Sequence, residues 1–226
     1  MKLGIAPSIL LLLTPVATAS KAPSPVAARV KSPGPEELSP RGAEIAMRRM
    51  AACVVQRAEP RIRRLLDTMP DSRDEQRIFD SLQSRGDWCL PGPYGLAMSP
   101  TDLRGAYAEA LLTHDVGSAG VSRRNLPDEQ IATWQEGLKL DKVPERERSF
   151  RLVLGGFARC IVARAPEDVH RLIATDPMSA DERTALRALV PSIGPCLDQG
   201  TKINITRQPL RSMLADALYQ YMRLPD

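Results

Sequence analysis

Aromatic side chains are scarce: three Phe, two Trp and four Tyr make up 4% of the 226 residues. The core must therefore rest on Leu, Ile, Val, Met and Ala. Tyr94, Tyr107, Tyr219 and Tyr221 are too scattered for a ladder that stacks nucleic-acid bases. Histidine occurs only at 114 and 170, and neither lies within a few residues of a cysteine. With no C-x-x-C either, a structural zinc site is disfavoured. There is no G-x-S-x-G elbow, H-E-x-x-H, phosphate loop or dinucleotide fingerprint. Lysine is rare, six residues against 25 Arg, a bias that a GC-rich genome produces through its codons. The net charge is only +4, and basic and acidic residues are interleaved. That excludes the concentrated basic footprint of a nucleic-acid binder.

What is present begins at the N-terminus. Lys2, the apolar run Ile9–Leu13 and the small-residue site Ala17-Thr18-Ala19 have the layout of a secretory signal over 1–19. Cleavage near Ser20 predicts a periplasmic or secreted protein. The run is short and interrupted by Pro7 and Pro15, and no later segment is apolar enough to span a membrane. Residues 20–40 hold five prolines and predict a disordered arm.

The rest of the chain says much the same thing twice. Ala51–Ala58 reads AACVVQRA and Ala158–Ala165 reads ARCIVARA. Shifting the sequence by 107 aligns 41–111 with 148–218 without a gap, with 21 identities in 71 positions. A period this long predicts two tandem domains rather than a solenoid. The expected fold is all-α: duplicated helical domains of about four helices each at 41–114 and 148–226, joined by a linker at 115–147. Within that linker, Pro127-Asp128-Glu129 opens a short helix through Trp134 to Leu138.

Each copy carries two cysteines 36 residues apart, Cys53 with Cys89 and Cys160 with Cys196. Four cysteines allow three pairings. Duplication favours one disulfide per copy, and export into an oxidising space permits both. Each closed loop is worth about 4 kcal/mol in the chain-entropy model. Every cysteine then has a structural partner, which argues against a Cys nucleophile.

The aligned copies also read out helices. Helix one covers 42–57 and 149–164, and Gly155-Gly156 in its second copy would let another backbone approach. Helix two carries Ile62, Leu65 and Leu66, matched by Val169, Leu172 and Ile173, each trio on one face. Helix three opens with Ser72-Arg73-Asp74-Glu75 and Ser179-Ala180-Asp181-Glu182, a capping box in which the Glu should reach back to the cap amide. That role explains acids that otherwise suggest acid–base catalysis. Phe79 and Leu82, like Leu186 and Leu189, should face the core. Gly/Pro-rich turns at 91–95 and 198–200 precede helix four, which begins at Ser99-Pro100 and at Thr206.

The stretches Cys160-Ile-Val-Ala-Arg164, Ala174-Thr-Asp-Pro-Met-Ser179, Pro195-Cys-Leu197 and Leu210–Tyr219 resemble a group of small exported helical proteins of sphingomonad-type alphaproteobacteria. The resemblance covers 150–222 well and the first copy more loosely. It implies a bacterial envelope setting and transfers no activity or site. In that setting the sequon Asn204-Ile205-Thr206 carries no glycan.

The candidate binding residues are arginines kept in both copies: Arg104 and Arg211, Arg64 and Arg171, and also Arg57 and Arg164. Arg104 and Arg211 follow a core leucine in the first turn of a helix, near its positive dipole end, where a cation needs compensation. Either a salt bridge within the domain, to Asp74 or Asp181, or a bound anion would supply it. The expected function is that of a non-enzymatic binding or structural module of the cell envelope, with an envelope protein or glycan as partner and no cofactor, metal or nucleic acid. The alternatives are a carboxylate-dependent hydrolase, and a binder of polyanions or anionic lipid through its arginine faces.

Overall fold

The computed structural model describes residues 38–86, 89, 98–117, 120–138, 150–197 and 204–225, with the side chains of 83–86 and 150 excepted. The expected signal at 1–19, the expected arm up to residue 37, the expected turns at 91–95 and 198–200 and the stretch 139–147 lie outside them. The described residues are all-helical. They form α1 (Pro40–Leu66), α2 (Arg73–Gly86), α3 (Pro100–Val116), α4 (Asp128–Glu136), α5 (Phe150–Arg164), α6 (Pro166–Ile173), α7 (Ala180–Ile193) and α8 (Arg207–Met222). A 3₁₀ turn at Gly194–Cys196 ends α7. No described helix is long and apolar enough to cross a membrane.

Helices one and two, expected as separate elements, run together in α1. The helix kinks at Ala58 (φ −140°, ψ 27°), two residues before Pro60. The proline ring has no N–H to give the preceding turn. At the aligned position the same kink becomes a break: Ala165 (φ −146°, ψ 58°) separates α5 from α6. Pro166 then takes the first helical position, where a missing N–H costs nothing. Ser39, Ser99 and Ser179 cap α1, α3 and α7, each hydroxyl accepting a first-turn amide.

Disulfides join Cys53 to Cys89 and Cys160 to Cys196, with Cα atoms 5.7 Å apart in both. Ile62, Leu65, Leu66, Val169, Leu172 and Ile173 are buried, as are Phe79, Leu82 and Leu189, while Leu186 is partly buried against them. All eight helices contribute to one continuous hydrophobic core. α3 and α8, which occupy aligned positions, make the most extensive helix–helix contact. They cross at Gly105 and Ser212, themselves aligned residues, so closely that a Cβ on Gly105 would lie 2.3 Å from the Ser212 Cα. The close backbone approach is therefore made here. At Gly155 the space is filled instead by the Leu138 side chain, 3.0 Å from where a Cβ would stand.

Candidate functional site: paired arginine networks

The turns before α2 and α7 set the geometry. Asp71 and Met178, aligned residues, adopt left-handed backbone at φ 64° and 56°. This aims each N–H at the third helical residue: Asp71 N donates to Glu75 Oε2 and Met178 N to Glu182 Oε2, both at 2.7 Å. The Ser72 and Ser179 hydroxyls accept from the amides of Glu75 and Glu182. The glutamate thus reaches one residue past the cap. The reason is that the Ser72 and Ser179 amides are already donating to the Met69 and Asp176 carbonyls.

Each glutamate is buried and meets an arginine from the central helix pair. Arg104 Nη1 lies 3.2 Å from Glu75 Oε1, and Arg211 Nη1 lies 3.0 Å from Glu182 Oε1. Both arginines also close the C-terminal turn of a neighbouring helix. Arg104 donates to the carbonyls of Leu65, Leu66 and Thr68, and Arg211 to those of Leu172, Ile173 and Thr175. A guanidinium at the negative end of a helix is favourable. Finally each crosses the α3–α8 contact. Arg104 Nε donates to Asp216 (2.6 Å) and Arg211 Nε to Glu109 (2.8 Å), and Glu109 and Asp216 are again aligned.

The side chains of Arg104 and Arg211 are only 2% and 3% exposed, with all three guanidinium nitrogens engaged. Their partners are Glu75, Asp216, Glu182 and Glu109. Asp74 is instead on the surface, paired with Arg77, and Asp181 is exposed. Arg171 is exposed and pairs with Asp168, whereas Arg64 lines an open surface cleft of about 700 Å³ with Arg61, Ser72 and Arg77. Arg57 and Arg164 are exposed. The structure therefore does not bring the four candidate arginines into one site.

Three further arginines were not legible from the alignment. Arg151 of α5 reaches Asp71 and both oxygens of Glu75. The residue aligned with Arg151 is Glu44, which cannot pair with Glu182. Arg207 stands between those two acids and bonds both. Arg48 pairs with Glu109 and donates to the Thr175 carbonyl. Each is missed because its aligned residue has a different charge or none: Glu44, Pro100 and Gly155. The match of Glu109 with Asp216 was a visible signal, one acid five residues beyond each of the shared arginines.

Burial lowers the Arg48 pKa, and it lowers that of Arg159 to about 10. Burial also pushes the Tyr107 hydroxyl up to about 12. Among the described residues, no three His, Cys, Asp or Glu side chains gather to hold a metal ion. Chemically, the two networks are interlocks. Each buried carboxylate has its countercharge, and each countercharge ties two or three segments together. Comparison with protein-family models, curated proteins and solved structures finds no match.

Proposed function

We propose that the chain is a non-enzymatic binding or structural module of a bacterial cell envelope, built from two tandem copies of one helical unit and exported by its N-terminal signal. The observation that carries the reading is the use made of the residues shared by the copies. Arg104 and Arg211 hold matching sets of partners and are engaged inside the protein. Glu75 and Glu182 cap helices and anchor those arginines. The shared residues thus build the internal scaffold, and binding falls to surfaces where the copies differ. Two disulfides suit an oxidising compartment.

The test is capture. The oxidised protein is immobilised, exposed to fractionated envelope and analysed by mass spectrometry for saturably retained protein or glycan. Retention equal to that on a reduced, unfolded control refutes the reading. A second reading, an anion-binding face, is favoured by Arg64 and Arg61 beside the cleft at the α1–α2 corner. It predicts affinity for anionic vesicles that falls steeply with salt and is lost in Arg64→Glu.

A further inference from the structure

The linker helix α4 shows what one side of the molecule accepts. Trp134 of α4 and Leu138 in the turn that follows it, four residues apart, are both buried against α5 and α8. Leu138 fills the space over Gly155, and the Trp134 ring lies 5.8 Å from that of Tyr221. The Arg159 guanidinium sits 5.3 Å from the Trp134 ring, donates to the Trp134 carbonyl near the C-terminal end of α4, and holds Gln220. Each of these partners has an aligned residue 107 positions earlier: Arg48 for Gly155, Ala52 for Arg159, Thr113 for Gln220 and His114 for Tyr221. Those four residues line a cleft of about 620 Å³ between α1, α3 and the end of α6. No described segment fills it. Its buried walls include Val55, Ala106, Leu112 and Ile173.

Charge differs between the two sides in an informative way. The α4 side places Arg159 on the carbonyl end of the docked helix. The open side has Ala52 there, and Arg49, one turn away at the cleft mouth, is exposed with no ion pair among the described residues. A cation placed there complements the C-terminal end of a helix. Arg48, by contrast, is already engaged by Glu109 and the Thr175 carbonyl.

We propose that this cleft docks a short amphipathic helix of a partner protein, patterned like α4. Such a segment presents an aromatic residue of its helix, and a leucine four positions on in the turn that ends it, to the cleft in the helix-in-groove mode, and turns the helix's C-terminal carbonyls to Arg49. Small residues at the walls, Ala52, Ala106 and Ala110, leave room for the ring. The inference rests on the reading of the chain as a binding module and names its class of partner.

The probe is a labelled peptide with the sequence of residues 127–139, titrated into the oxidised chain and read by fluorescence anisotropy. Saturable binding is expected, weakened at least tenfold by Ala52→Phe, which fills the cleft from an exposed position, and severalfold by Arg49→Glu. Val190→Ser, on exposed α7 surface, should leave it unchanged. Amide shifts should move at 48–56 and 106–114. No saturable binding at millimolar peptide overturns the proposal. So do shifts confined to 155–163 and 213–221, where the peptide merely replaces α4. Binding at least fivefold tighter after removal of residues 1–37 assigns the cleft to the chain's own arm. Concentration-dependent dimerisation abolished by Ala52→Phe assigns it to a second copy. Either result overturns the proposal. Envelope capture that persists in Ala52→Phe refutes the cleft alone. Peptide binding without any envelope capture refutes the module reading instead.

Discussion

Gly105→Ala adds one methyl group where α3 meets α8. That carbon would lie 2.3 Å from the Ser212 Cα, 2.4 Å from its Cβ and 2.6 Å from its carbonyl oxygen. Carbon atoms pack at about 3.5–4.0 Å, so the helices must separate by roughly 1 Å or more at the crossing. Separation also stretches Arg104–Asp216, now 2.6 Å, and Arg211–Glu109, now 2.8 Å. Both move towards the range where hydrogen bonds fail. Overpacking of this kind costs about 1–3 kcal/mol. Weakening the crossing contacts adds about 1–2 kcal/mol, and the better helix propensity of alanine returns about 1 kcal/mol. A net loss of about 1–4 kcal/mol lowers the melting temperature of a chain this size by about 2–15 °C. Urea unfolding of the oxidised protein, followed by far-UV circular dichroism, should show a lower midpoint with an unchanged slope. Ser212→Ala, which loses only a 3.4 Å contact to Asp102, should shift the midpoint far less. A Gly105→Ala midpoint at or above wild type would refute the tight crossing and the interlock built on it.

Arg211→Met should cost about 3–5 kcal/mol, because Glu182 and Glu109 lose a buried countercharge. Urea unfolding reads the loss, and Arg211→Lys should recover only part of it, since an ammonium cannot reproduce the planar fork. Replacing Cys160 and Cys196 by Ser should cost about 4 kcal/mol, measurable as a reduced midpoint that added reductant does not lower as far as it lowers wild type. Burial depresses the His170 pKa, so folding disfavours its charged form. His170 therefore contributes stability above its unfolded pKa of about 6.5 that is lost as pH falls through its folded value. His170→Gln should flatten the melting-temperature profile across that window. The Asp115 pKa is lowered by hydrogen bonding to Arg63. Its small, solvent-screened contribution is present above about pH 4 and lost on further acidification, and Asp115→Asn should remove that slope.

Local pattern made much of the fold legible. The apolar trios at 62–66 and 169–173, the serine caps and the proline at the start of α3 were readable because their causes lie within one or two turns of chain. The internal alignment added the cysteine partners, since it sets the two pairs on each other with the same spacing of 36 residues. It also singled out Arg104 and Arg211 as cations in need of compensation. It could not name the partners, because Asp216 and Glu109 lie 112 and 102 residues away in sequence. The merging of helices one and two across Ala58 was also hidden. A residue at φ −140° can interrupt a helix or merely kink it, and packing decides between the two.

The sequence by itself determined the all-helical character of the described residues, their two disulfides, core faces and capped helix starts, because 3.6-residue periodicity and capping chemistry are local. Only the tertiary structure decided that α3 and α8 cross at Gly105 and Ser212, that two arginine networks clasp that crossing, and that α4 fills one cleft while no described segment fills its counterpart. These are matters of which surfaces meet. Aligned positions that differ in size or charge, such as Arg48 and Gly155 or Glu44 and Arg151, give the two aligned stretches different contacts.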